Sequence, residues 1–173
     1  MSSSPVILWF RRDLRLSDHP ALAAAAATGR PVIPVYIHDD QTAALGAAPK
    51  WRLGLGIGHF AGNLEHLGSR LVLRRGDALS VLRDLIRETG AGAVWWSRLY
   101  DPDATERDAA VKKELRDEGT DARSFGGHLM FEPWTVETKT GGFYRVYTPF
   151  WNMVKSRDVD APRAAPDRLT APD

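Results

Sequence analysis

Apolar residues in this chain alternate between short unbroken runs and longer stretches in which they recur every three to four positions. Val6–Phe10 is a run of five, the length and composition of a fully buried strand. A helix is predicted over about His19–Thr28, capped by Asp18 and stopped by Gly29. Val32–Ile37 reads as a second strand, in which Pro34 removes one ladder donor and predicts a bulge or an unpaired position. From Trp51, the residues Leu53, Ile57, Phe60, Leu64 and Leu67 fall at helical spacing until Gly68 ends the pattern. Leu71–Leu73 is a third strand. Asp77 then caps a helix carrying Leu79, Leu82, Leu85 and Ile86, with Gly90 after it. Ala93–Trp96 is a fourth strand, and Ala122–Phe125 a short fifth. Between those two, Asp103 and Glu106 have the spacing of a capping box for a helix to about Glu118.

Strands alternating with helices predict the α/β class. The expected form over residues 5–126 is a doubly wound, Rossmann-like, five-stranded parallel sheet with helices on both faces. Trp95 and Trp96, adjacent on one strand, then point to opposite faces and pack under different helices. Beyond Gly126 the alternation stops, and residues 127–173 read as a connector. Thr138–Gly142 looks like a hairpin or loop tip, and Thr148-Pro149 can cap a last helix through Val154. The tail from Asp158 is an Ala/Pro/Asp mixture with little to bury. Trp134, Phe143, Tyr144, Tyr147, Phe150 and Trp151 concentrate aromatic surface in this region. They are expected to fold back onto the sheet or to form a patch that drives self-association.

Composition narrows the chemistry. The 173 residues, 43% hydrophobic and 26% charged, are enough for one good core plus extras. A net charge of +1 gives no general pull toward nucleic acid or membrane, so any basic function is local. The sequence has no cysteine, which removes disulfides and thiolate chemistry and fits a cytoplasmic protein. The start lacks the pattern of a signal peptide, and no apolar run approaches a membrane span. The five histidines show no metal-ligand spacing. GLGIGH (Gly54–His59) approaches the dinucleotide fingerprint but lies inside a helical pattern with no strand before it, and that reading is rejected.

Four segments resemble the N-terminal domain of the DNA photolyase/cryptochrome family. They are WFRRDLRLSDHPAL, GSRLVLRRGD (Gly68–Asp77), the two ends of LYDPDATERD (Leu99–Asp108) and FYRVYTPFW (Phe143–Trp151), and they occur in the family's order. The resemblance implies the strand order 3-2-1-4-5 and an α/β domain holding a light-harvesting antenna chromophore. It further implies a following helical domain, absent from these 173 residues, that holds FAD, binds damaged DNA and carries the electron-transfer tryptophans. The partners it implies are therefore a small-molecule chromophore and that separate FAD domain, with DNA reached only through the latter. The chain alone is expected not to repair a pyrimidine dimer under blue light. The pigment stays open between folate, deazaflavin and flavin. Folate-binding relatives carry Asn-Glu where this chain has Asp103-Ala104, and deazaflavin-binding relatives place an acid where it has Leu99.

In that strand order the reversal lies between strands one and four, where doubly wound sheets seat their ligands. Five charges, Arg11, Arg12, Asp13, Arg15 and Asp18, crowd the turn after the first strand. Asp13, Arg15 and Asp18 are expected to pair and pin the turn, whereas Arg11 and Arg12 lean to a ligand or domain-interface role. Asp39, Lys50 and Arg52 either line the same rim or form a solvated face. Tyr100 and Asp101 can stack on and hydrogen-bond a heterocycle, and Asp103 is first a helix cap and only second a ligand contact. A competing reading is a stand-alone adenine-nucleotide-binding module resembling universal stress proteins. That type expects a glycine-rich phosphate loop after the fourth strand, and SRLYDPDATERD contains no glycine.

Overall fold

The computed structural model describes residues 4–172. Five strands form one parallel sheet, β1 (Val6–Phe10), β2 (Val32–His38), β3 (Val72–Arg75), β4 (Ala93–Ser97) and β5 (Asp121–Phe125), in the order β3-β2-β1-β4-β5. The central strand pairs Val6 with Val32 on one side and with Ala93 on the other. Every residue of β1 and β4 is buried because both faces are covered, which is why these strands read as unbroken apolar runs. Helices α1 (Pro20–Ala27) and α3 (Ala47–His66) cover one face; α4 (Ala78–Thr89) and α5 (Pro102–Asp117) cover the other. Trp96 joins Trp9 in one core cluster and Trp95 lies in the opposite one, as the alternation requires. Pro34 lies opposite Leu8 of β1, and β3 joins the ladder only from Val35, so the missing N–H interrupts no β2–β3 bond.

Several boundaries differ from the sequence expectation. The cap of α1 is His19, whose Nδ1 accepts the Leu22 N–H at 3.0 Å; Asp18 sits in the left-handed region at φ 48°. Strand β3 begins one residue late and ends two residues late. As an edge strand it is wet, so Arg74 and Arg75 are tolerated within it. Helix α5 is capped by Asp101 with Pro102 at its first position, and Asp103 lies in its first turn, not at the cap. Helix α2 (Asp40–Ala43), capped by Asp39, is too short to show a period. The last helix, α6 (Tyr147–Val154), starts from Val146 and not from Thr148. GLGIGH lies within α3, where Leu14 packs beside Gly56 at a distance that a Cβ would also fill in ordinary contact, 3.7 Å from Leu14 Cδ1.

The largest departure is the tail, which carries a buried anchor. Leu169 is 2% exposed and packs in the cluster of Phe60 and Leu64. Its N–H donates to the Leu67 carbonyl at 2.9 Å, the Val32 N–H to Thr170 at 2.8 Å, and the Asp18 N–H to Arg163 at 2.7 Å. One leucine among Ala, Pro and Asp has no periodicity to announce it. The segment is a strap held on the face of α1 and α3, where its composition predicted a linker.

Candidate functional site

The charges after β1 form a closed set of contacts. Asp13, 3% exposed, accepts the Arg11 N–H through Oδ1 at 2.8 Å, and its Oδ2 lies 2.8 Å from His19 Nε2. Because Nδ1 of His19 accepts from Leu22, Nε2 is the nitrogen that donates to Asp13. Burial pushes the Asp13 carboxyl up, but the His19 hydrogen bond and charge, with the Arg11 N–H and the Ser97 side chain, outweigh it. The carboxyl is held well below the usual carboxylate range. Arg15 donates to the carbonyls of Asp18 at 2.7 Å and Gly127 at 2.6 Å, joining the turn to the connector. These three residues pin the turn, but not by the expected pairing with one another: Asp13 pairs with His19, and Arg15 reaches the Asp18 carbonyl and not its carboxylate.

Arg11 is also committed within the protein. Its Nη1 donates to Asp108 Oδ2 at 2.6 Å, its Nη2 to the Ser97 carbonyl, and its guanidinium covers the Trp9 ring at 4.4 Å. Burial lowers its pKa while Asp108 opposes that shift. Arg11 therefore forms wall, with its donors turned inward.

That wall bounds a crevice of about 520 Å³ outside the carboxyl ends of β1, β2 and β4. Its apolar lining is Leu14, Ile37, Leu45, Pro49, Leu53 and Leu99; its charged lining is Arg11, Arg12, Asp39, Arg52 and Arg107. Asp39 has both oxygens engaged: Oδ1 caps Thr42 N–H at 2.9 Å and Oδ2 accepts from Arg107 at 2.8 Å. Arg12 is largely exposed and pairs with Asp101 at 2.7 Å, which holds the Asp101 carboxyl below its usual range. Arg52 lines the crevice with no hydrogen-bond or ion-pair partner among the described residues.

The other expected residues are not brought there. Lys50 is exposed and lies off the face of α3 that Pro49, Arg52 and Leu53 present to the crevice. Tyr100 turns to the connector, donating to Glu132 Oε2 at 2.8 Å; burial and Glu132 raise its pKa. Asp101 serves as the cap of α5 and the partner of Arg12, and Asp103 is exposed. Arg107, Gln41 and Asp108 were not among the candidate site residues, although Arg107 and Asp108 close the LYDPDATERD segment. A signal existed for Asp108: it falls in the buried stripe Ala104, Asp108, Val111, Leu115 of α5, a charge at an apolar period.

A second concavity, about 650 Å³, is formed by the connector and α6 and is lined by Met130, Phe131, Phe143, Tyr147, Phe150 and Trp151 among others. Glu132 anchors the connector by pairing with Arg98 at 2.8 Å. The rings stay outside: Phe143 is 72% and Tyr147 69% exposed, so an open patch forms and they do not fold back onto the sheet. The protein is expected to bind an apolar dye such as ANS and to sediment with a concentration-dependent coefficient. Phe150→Ser with Trp151→Ser should suppress both.

Fold and crevice together define a doubly wound α/β domain with a ligand-sized cleft at its switch point. The family model described as DNA photolyase matches residues 6–167. A deoxyribodipyrimidine photo-lyase of Agrobacterium fabrum is 51% identical, over 99% of this chain and 36% of the relative. Cryptochrome-2 of Arabidopsis thaliana is 36% identical, over 90% of this chain and 26% of that protein. A crystal structure of a bacterial class III photolyase from Agrobacterium tumefaciens superposes with a TM-score of 0.95 at 51% identity, covering 99% of this chain and 36% of that one. An archaeal photolyase from Sulfolobus tokodaii shares the fold, with a TM-score of 0.79 at 24% identity, covering 96% of this chain and 38% of that one. The chain belongs to the DNA photolyase family and matches its N-terminal α/β domain, spanning well under half the length of these relatives. No helix among the described residues is long and apolar enough to cross a membrane.

Proposed function

We propose that this domain holds a light-harvesting antenna chromophore, a folate, deazaflavin or flavin, in the switch-point crevice of a cytoplasmic protein of photolyase/cryptochrome type. In the whole protein, FAD and DNA would be bound by the helical domain. The observation that carries the reading is Arg52, an unpartnered guanidinium beside an apolar slot. About 520 Å³ suits a planar ring system, and Arg52 suits the carboxylate or phosphate that each of these pigments carries. The Sulfolobus tokodaii photolyase, a relative in fold, contains two FAD molecules, from which a novel light-harvesting cofactor is implied for that protein. When bound, the pigment would absorb light and pass the excitation on. The protein's own residues would enclose the rings between Leu14, Leu53 and Leu99, exclude water, and fix the anionic end on Arg52, with Gln41 offering its amide N–H groups.

The nucleotide-module alternative is disfavoured by the start of α5. Asp101 at the cap and Asp103 in the first turn put two carboxylates where a phosphate would need the helix N-terminus.

Titration with methenyltetrahydrofolate, deazaflavin, FMN and FAD, followed by absorbance and fluorescence, tests the reading. One class is expected to bind, and Arg52→Ala to weaken it about tenfold or more, as for loss of a charged hydrogen bond. Absence of binding by all four would reject the crevice as the pigment site.

A further inference from the structure

We propose that Asp108 is the positioning residue of the crevice, a role that rests on the crevice reading above. Its carboxylate lies behind the lining and holds two arginines at once. Oδ2 accepts from Arg11 Nη1 at 2.6 Å, while Oδ1 accepts from Arg107 Nε at 3.1 Å and Nη2 at 2.9 Å. Both guanidiniums cover the single ring of Trp9, 4.4 and 5.1 Å from its centroid, and both form part of the crevice wall. Arg107 then reaches across to α2, donating from Nη1 to Asp39 Oδ2 at 2.8 Å and Gln41 Oε1 at 2.9 Å.

Asp108 is 9% exposed and does not line the crevice, so it acts on a bound molecule only through these arginines. Its negative charge is what lets two cations share one indole. In a low-dielectric setting their mutual repulsion would otherwise drive them apart. Arg107 is the more exposed of the two and would swing out, releasing Asp39 and Gln41 and with them the wall formed by α2.

Asp108→Asn removes the charge and keeps the shape. The variant is expected to retain its far-UV circular dichroism while its near-UV tryptophan signal changes without any ligand, because the cover on Trp9 is lost. Whichever pigment binds the wild type should bind about tenfold more weakly, with a displaced absorption maximum. In an Arg107→Met background, Asp108→Asn should add less loss than it causes in the wild type, since the part of its effect carried by Arg107 is already gone. Should Asp108→Asn fail to fold, Asp108→Glu, which keeps the charge but shifts it by one methylene, takes its place with the same readouts. Wild-type affinity in the folded variant, or losses that simply multiply with those of Arg107→Met, would overturn the role. If the wild type binds none of the four pigments, the crevice reading fails by itself. An unchanged near-UV signal would then overturn the hold of Asp108 on the arginines as well.

Discussion

Leu169→Ala is expected to destabilise the protein by about 3 kcal/mol, the usual cost of emptying a fully buried leucine site. For a chain of this size that corresponds to roughly 6–12 °C in melting temperature. The side chain fills a space beside Phe60 and Leu64 that neither α1 nor α3 can collapse into, because both are already packed on β1 and β2. Its backbone bond to Leu67 and that of Thr170 to Val32 hold the strap in place, so the truncation leaves a cavity and does not release the tail outright. A thermal melt followed by circular dichroism measures the effect. Ala171→Gly, a few ångströms along the same strap but exposed, serves as the control and should change the melting temperature little. A melting temperature for Leu169→Ala equal to that of the control would mean that the strap is not part of the core.

Asp13→Asn is expected to cost about 3 kcal/mol at neutral pH, because it strips the charge from a buried, doubly hydrogen-bonded carboxylate. The amide keeps one acceptor, so either the Arg11 N–H or His19 Nε2 loses its partner. The same substitution should flatten the acid limb of the stability curve. The carboxyl of Asp13 is depressed in the folded protein, so above about pH 4 it is ionised in both states and its stabilisation is complete. As the pH falls further, the unfolded chain takes up the proton first, and the contribution is lost progressively toward the folded-state value. Urea unfolding at pH 7, 4 and 3 should therefore show wild type and variant far apart at pH 7 and 4 and converging below. A gap that stays constant down to pH 3 would mean that the Asp13 carboxyl titrates alike in the folded and unfolded chains and is not depressed by the fold.

Much of the candidate site was legible as a place before it was legible as a set of contacts. The parallel alternation and strand order put the site where β1 and β4 diverge, and Arg11, Arg12, Asp39 and Arg52 line the crevice there, which extends over the end of β2. Lys50 misses because a helix presents one face to the crevice and its neighbour Pro49 occupies that face. Tyr100 misses because Glu132, in a connector without periodicity, competes for its hydroxyl. Asp108 was hidden in plain sight: its stripe on α5 is apolar at every other position, and only the arrival of Arg11 from the other end of the chain explains the exception.

The sequence by itself determined what depends on neighbours a few positions away. The runs Val6–Phe10 and Ala93–Ser97, the period of α4 and the opposite facing of Trp95 and Trp96 all follow from backbone geometry repeated over one element. Tertiary structure alone decided what depends on contacts across the chain. Arg11 meets Asp108 across 97 positions, and Arg107 meets Asp39 across 68. No local pattern encodes such pairings, because a charge in an isolated segment is equally well satisfied by water. Only when burial removes that water must each guanidinium and carboxylate find a partner within the fold.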